Sequence, residues 1–374
     1  MKSNNWKYGT LEDAVKKGSS NISLNKIKDE VGEYPVFGAK GFAQNVSFYQ
    51  QEKEYLAIIK DGAGIGRVSK HPAKSSVVAT MQYLIPKETF DIGFVEYFLN
   101  GIDFQKHRQG STIPHVYFKD YKSEPFPLLT LPEQQRIVAI LDKAFTAIAT
   151  AKANAQQNLL NAKELFESYL QNVFENKGDD WEENRLDEIT EVKDGTHDSP
   201  KYIKEGIPFV TQKNIKPDGF SIVNTKFITE TDHEKFYKRS NVTYGDILIS
   251  MIGANRGMAA IVDDKRIFSI KNVGLIKSSD SINMNYLLYY LKSPMAMKYV
   301  LYMSNGGAQE FIGLRALRAF PIPLPFLKEQ QQIVKKLNSL STETKKLEAI
   351  YQQKINDLEE LKKSVLSKAF KGKL

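Results

Sequence analysis

Residues 125–138 read PFPLLTLPEQQRIV, and residues 321–334 read PIPLPFLKEQQQIV. The two stretches align without a gap at an offset of 196, and the match runs on to residues 174 and 370 with 19 identities in 50 positions. The shared core is Pro-x-Pro-Leu-x-x-Leu-x-Glu-Gln-Gln-x-Ile-Val. Self-similarity on this scale is the mark of a tandem architecture and sets the plan of the chain. Upstream the repeat is weaker. Trp6 opens WKYGTLEDAV and Trp181 opens WEENRLDEIT, Gly62 and Gly66 sit like Gly253 and Gly257 after apolar runs, and Gly110 lies opposite Gly306. The partition is 1–130 and 178–326 for two globular domains, with 131–177 and 327–374 as the helical region after each.

Thr130-Leu131-Pro132-Glu133 is a capping-box pattern. A helix then runs unbroken to Asn176-Lys177-Gly178, and its twin runs from Leu327 to Lys371-Gly372. Helices of about 45 residues reach ~65–70 Å, a length that calls for a coiled coil. The heptad seam falls on Ile137, Leu141, Ala144, Ile148, Ala151, Ala155, Asn158, Ala162, Leu165 and Tyr169 in the first helix. In the second it falls on Ile333, Leu337, Leu340, Thr344, Leu347, Tyr351, Lys354, Leu358, Leu361 and Val365. Small residues in one seam and bulky ones in the other let the two helices approach closely, and the tandem repeat predicts an antiparallel intramolecular pair with pseudo-twofold symmetry, with Asn158 and Lys354 as polar positions to fix register; the alternative is two helices packing on separate domains. Short β-rich runs broken by Gly and Asn, with helical candidates DIGFVEYFLN and MNYLLYYLKSPMAMKYVL, make the globular domains mixed α/β.

Chemistry is conspicuous by what is missing. The 374 residues contain no cysteine, so disulfides, thiolate metal sites and cysteine nucleophiles are excluded together. No phosphate-loop motif, zinc-protease motif, Pro-Pro methyltransferase dipeptide or nuclease carboxylate–lysine set is present, and no metal site is expected. Asp61-Gly62-Ala63-Gly64-Ile65-Gly66 resembles a cofactor loop, but such a loop must open a helix. Arg67-Val68-Ser69-Lys70-His71-Pro72 follows instead and reads as a strand, so a tight hairpin is expected. His197-Asp198-Ser199 reads as a polar loop contact or a turn, since catalytic triads draw on separate elements. No catalytic residue is assigned. The amino-terminal residues carry no apolar signal region and no stretch reaches 18 apolar residues, so a cytoplasmic chain without membrane contact is expected.

The paired helix-start motifs resemble those of the specificity subunit of a bacterial type I restriction-modification system. IPFVTQKNI (207–215), GDILISMIGANRGMAAIV (245–262) and NGGAQEFIGLRALRAFPIPLP (305–325) also resemble landmarks of its recognition domains; YPVFGAKGF and KDGAGIGRV in the first domain are looser versions. The resemblance implies two target recognition domains, each reading half of a bipartite site in double-stranded DNA, with the helices setting the spacer. It implies docking of two modification (methyltransferase) subunits, which would carry S-adenosylmethionine, and motor-nuclease subunits joining through the assembled complex. The chain itself would hold no cofactor. A methylation-only system or a coiled-coil scaffold without DNA readout are the alternatives.

Net charge is +8, divided +3, 0, 0 and +5 over the four regions, so the second globular domain is neutral. Candidate DNA contacts are therefore read from local clusters of side chains that pair with base edges or phosphates. Around the first glycine loop these are Lys60, Arg67, Lys70, His71 and Lys74, followed by Lys106, His107, Arg108, Gln109, Ser111 and Thr112. In the second domain they are Thr196, His197, Ser199 and Lys201, then Gln212, Lys213 and Asn214, then Asn255 and Arg256, then Asn305 and Gln309.

Overall fold

The computed structural model describes residues 6–305 and 310–374. The chain forms two compact units, residues 1–156 with 352–374, and residues 157–351. Each long helix is thus shared between them.

In the first unit, Lys7–Thr10 pairs antiparallel with the proline-rich strand Pro125–Leu128. Proline donates no N–H, which suits this two-stranded ribbon. A one-turn helix, Leu11–Ala14, leads into a four-stranded antiparallel sheet in the order Val15–Ser19, Met81–Pro86, Tyr55–Ile59, Val68–His71. A second sheet joins Gly41–Val46, Tyr34–Gly38 and Ser76–Val77, the last pair parallel. Residues of Tyr55–Ile59 alternate between two cores. Tyr55, Ala57 and Ile59 pack with Val36, Val46 and Val77. Leu56 and Ile58 pack with Phe94, Phe98, Phe126, Ile137 and Leu141. The period of two along a strand makes this central strand buried on both faces.

The second unit repeats the scheme. Glu182–Arg185 pairs with Pro321–Leu324. The four-stranded order is Val192–Asp194, Val273–Ile276, Ile247–Ser250, Ala259–Ile261, and the three-stranded order is Lys226–Ile228, Ile207–Val210, Ser269–Ile270, again with one parallel pair. Divergence lies in insertions: a small hairpin of Ile215–Lys216 with Gly219–Phe220, and the helix Glu230–Ser240, closed by left-handed Asn241 (φ 53°). The helical candidate DIGFVEYFLN forms Ile92–Asn100, capped by Asp91. MNYLLYYLKSPMAMKYVL forms two helices, Met284–Leu291 and Pro294–Tyr302. Pro294 cannot continue a helix but starts one well, and Ser293 caps the new start.

The long helices span Leu131–Glu175 and Leu327–Phe370. In the first unit they run antiparallel: Lys152 pairs with Glu359 at 2.7 Å, and Lys362 lies over the Phe145 ring. In the second unit Leu170 and Phe174 share a core with Val334 and Leu337. Of the expected seam, Ile137, Leu141, Ile148 and Leu337 are buried and Ile333, Leu340 and Leu358 half-buried. Leu165, Leu347 and Leu361 are 51%, 38% and 47% exposed, and Asn158 and Lys354 are exposed. Leu165, Leu347, Lys354 and Leu361 fall where the buried stripe changes its spacing, whereas Asn158 is exposed between buried Ala155 and Ala162, within an unbroken stretch of it. A straight helix drifts ~20° per heptad against a strict seven-residue repeat. The buried stripe keeps sevens through Gln134, Leu141, Ile148, Ala155 and Ala162, then steps to Leu170 and Phe174; in the second helix it keeps them through Gln330, Leu337 and Thr344, then steps by eleven to Ile355 and Leu366.

The capping box expected at Thr130 gives way to a different device. Both Glu133 carboxylate oxygens accept from Arg136 at 2.9 Å. The next residue anchors the helix. Gln134 is fully buried; its carbonyl accepts from Asp91 N at 2.8 Å, and its amide donates to the carbonyls of Leu129 (2.9 Å) and Thr89 (3.1 Å). Gln330 does the same, with Asn283 N at 2.8 Å and the Pro325 carbonyl at 2.8 Å. Trp181 Nε1 adds a bond to Glu329 Oε1 at 3.1 Å.

Two stability predictions follow from these packed groups. Gln330→Leu leaves a backbone N–H and a carbonyl buried without partners, so it lowers unfolding stability by ~2–4 kcal/mol. Exposed Gln331→Leu changes it by less than ~0.5 kcal/mol. Urea denaturation followed by Trp181 fluorescence measures both. His71 lies between the Tyr55 and Phe37 rings, bonded to Ser69 Oγ at 2.8 Å. Burial pushes its pKa down from 6.5 to about 4. The folded imidazole stays neutral while the unfolded one takes a proton below 6.5, so its stabilising effect is present above that pH. It is lost as pH falls from 6.5 toward 4, by ~3 kcal/mol at the limit. A proton-resonance titration of His71 with a midpoint near 6.5 would contradict this burial.

Candidate nucleic-acid interface

Both units raise the same frame at one end of the four-stranded sheet. In the first, Tyr55–Ile59 turns through Gly62–Gly66 into Val68–His71, the tight hairpin expected in place of a cofactor loop. Gly62 and Gly66 take φ of 95° and 82°, the left-handed region that glycine enters without strain. At Gly66 a Cβ would also stand 2.5 Å from Phe104 Cβ, so the site accepts no side chain. A second loop docks on this turn. Gln109 and His115 exchange reciprocal backbone bonds at 2.8 Å, Gly62 N donates to the Pro114 carbonyl at 2.9 Å, and Val116 N to Lys60 O at 2.9 Å.

The second unit matches bond for bond. Asn305 N donates to Phe311 O at 2.9 Å and Phe311 N to Asn305 O at 2.8 Å; Gly253 N donates to Glu310 O and Ile312 N to Met251 O, each at 2.9 Å. The weak upstream repeat thus marks a shared backbone frame. Side chains on it differ. In the first unit Asp61 receives Lys60 Nζ at 2.5 Å and faces His115 Nδ1 at 2.7 Å. Burial raises the Asp61 pKa, but the bonds from Lys60 and His115 outweigh it and hold the carboxyl below its ordinary range. The His115 ring stacks on Tyr117 at 6.0 Å.

The candidate residues divide by what their side chains already hold. Lys74, Arg108, Ser111, Thr112, Lys201, Lys213 and Asn255 are exposed, with no side-chain partner among the described residues. Arg108 and Thr112 line one open cavity with Gly62 and Pro114, of about 470 Å³. Lys70 and Lys106 are exposed beside Glu54 (3.0 Å) and Asp103 (4.0 Å). Gln109 donates to Asp120, Asn305 to the Met303 carbonyl, Lys271 to Ser199 and Arg67 to the Ala39 carbonyl. Lys60 is tied to Asp61.

Several other candidates are tied into the fold by bonds of their own. His71 is sealed in the core, and Thr196 and Asn214 are each 6% exposed. Asn214 bonds the Thr211 N–H and the Ser221 carbonyl, closing its own turn. His107 faces Glu124 at 2.7 Å with its side chain 17% exposed. Gln212 accepts from Ser250 Oγ, and His197 bridges Asn272 and Asp194. Arg256, 13% exposed, holds Glu310, Ser304 Oγ (3.0 Å) and the Gly253 carbonyl (3.1 Å), locking hairpin to loop. Polar type alone does not separate a side chain that faces water from one that closes a turn. Gln309 lies outside the described residues. His115 escaped sequence reading because its partner Asp61 is 54 positions away. Among the described residues no group of three or more His, Cys, Asp or Glu is placed to hold a metal ion, and no helix is long and apolar enough to cross a membrane.

The model of the type I restriction modification DNA specificity domain matches residues 3–161 and again 178–360. The MjaVIII specificity subunit of a type I restriction enzyme from Methanocaldococcus jannaschii is 27% identical over 71% of this chain and 66% of its own length. The EcoBI specificity subunit from Escherichia coli is 25% identical over 70% and 61%. The matched part thus spans less than two thirds of each of these two relatives. Among solved structures, a chain of the type I R-M system, determined in connection with its complex assembly and conformational transition, superposes with a TM-score of 0.78 at 18% identity over 99% of both chains. The HsdS subunit from Thermoanaerobacter tengcongensis gives 0.64 at 18% over 99% and 98%. These likenesses share the fold, and the doubled family match decides the kinship: the chain belongs to the type I restriction modification DNA specificity family.

Proposed function

We propose that this chain is the DNA-recognition subunit of a type I restriction-modification complex, each globular domain reading one half of a bipartite site. The carrying observation is the twice-built frame of hairpin and docked loop, one backbone bearing two different sets of exposed polar side chains. A shared scaffold with diverged side chains is what two half-sites of different sequence require. The long helices, the most alike part of the repeat, serve as the common spacer and as the docking surface for two modification subunits, with motor-nuclease subunits joining through them. S-adenosylmethionine belongs to the modification subunits in this reading. The hairpin at residues 62–66, which opens no helix, supports a chain that binds no cofactor there; in this reading the chain catalyses no step and works in the cytoplasm.

Replacing residues 178–326 by the corresponding region of a relative should change one half of the methylated motif and leave the other. Methylome sequencing of cells expressing the chimera with its modification subunits reads this directly; a change in both halves or neither contradicts two separate readers. Within the second domain, Asn255→Ala should leave stability within ~0.5 kcal/mol and weaken or relax recognition at one base pair, a ~1–3 kcal/mol effect on binding. Arg256→Ala should cost ~1–3 kcal/mol of stability, because Glu310 and Ser304 Oγ lose the donor that ties the loop to the hairpin. Thermal unfolding and competition binding against single-base variants of the site separate the two roles.

A further inference from the structure

In the first unit the one-turn helix Leu11–Ala14, the strand Val15–Ser19 and the short helix Phe118–Tyr121 border an open groove of about 540 Å³. Five lysines line it, Lys16, Lys17, Lys87, Lys119 and Lys122, against one carboxylate, Glu12. Lys122 pairs with that carboxylate at 2.8 Å and Lys87 donates to the Glu12 carbonyl at 3.0 Å. Lys16, Lys17 and Lys119 are exposed and, among the described residues, have no carboxylate within ion-pair distance. The groove adjoins the hairpin frame: Lys119 Nζ stands 5.6 Å over the ring of Tyr117, which stacks on His115, the partner of Asp61.

The second unit has a groove between the corresponding elements, about 630 Å³, with balanced charge: Lys193, Arg239 and Arg318 stand against Asp187, Glu191 and Asp194. There Lys193 pairs with Glu191 at 2.9 Å, Arg239 with Asp194 at 2.6 Å, and Arg318 donates to the Val192 carbonyl at 3.2 Å. Every one of these cations is answered locally.

We infer that the lysine groove of the first unit grips the phosphate backbone of duplex DNA independently of sequence, and that the second unit has no equivalent grip. The inference rests on the proposed DNA-recognition function and divides its binding energy between the units. Flexible ammonium groups act as point charges and suit phosphates, which carry charge without sequence. A protein partner would look for an apolar centre, and the groove's apolar residues Val15 and Phe118 are already buried.

The test uses the full chain and a mixed-sequence duplex of about 30 base pairs, titrated between about 50 and 200 mM KCl. Each phosphate contact contributes ~0.9 to the slope of log K against log salt. The triple variant Lys16→Gln, Lys17→Gln, Lys119→Gln should lower the magnitude of the slope by ~2–3. Lys26→Gln, Lys28→Gln, Lys53→Gln removes the same charge from exposed positions of the same unit outside the groove and should change it by less than ~1. An unchanged slope in the groove variant, an equal loss in the control, or no salt-dependent binding by the unmodified chain overturns the inference. Selection of bound duplexes from a random pool is run in parallel. If the unmodified chain selects no motif, the recognition reading itself fails; a retained motif with an unchanged slope removes only the groove.

Discussion

A buried primary amide holds each long helix to its globular domain. Gln134 and Gln330 are sealed from water, which is costly unless both ends of the amide are bonded. Their carbonyls take the N–H of Asp91 and Asn283, the capping residues of the helices Ile92–Asn100 and Met284–Leu291. Their amide groups take the carbonyls of Leu129 and Pro325, just before the long helices begin. One side chain thus ties the exit of the proline-rich strand, the first turn of the long helix and the start of a domain helix. Apolar packing alone is non-directional and would leave the angle of that junction loose. The directional bonds supply the angle, and two of them recur in both halves.

With the junction and the central strand in place, the loops are free to vary. Tyr55–Ile59 and Ile247–Ser250 are buried on both faces, so the hairpins that leave them start from rigid positions. The docked second loops are held through backbone groups, which any side chain can follow. Side chains add a tie of different chemistry in each unit: Arg256 with Glu310 in the second, and Asp61 with Lys60 and His115 in the first. The unequal charge of the two opening grooves follows the same logic, since both sit on exposed surface that the core does not constrain.

The Pro-x-Pro-Leu and Glu-Gln-Gln motif, the two long helices and the mixed α/β class were all legible in the sequence, because they rest on local rules and on internal repetition. The strict heptad was the extension that failed. It held near each helix start, where Leu141 and Leu337 are fully buried, and lost Leu165, Leu347 and Leu361 farther along. A periodic pattern carries phase error that grows with length, and only the packing surface resets the phase.

By itself the sequence determined that there are two copies of one unit, where each copy's helix begins, and that the glycine loop closes a hairpin. Only the tertiary structure decided which polar side chains face water. His71, Thr196, Asn214 and Arg256 read like Lys74, Arg108, Lys213 and Asn255 in composition, yet the first four close turns and cores. It also assembled the lysine groove from Lys16, Lys17, Lys87 and Lys119, and paired Asp61 with His115 across 54 positions. Repetition and helix starts are written in consecutive residues. Burial and charge pairing depend on which distant segments the fold brings together, and that information is spread over the whole chain.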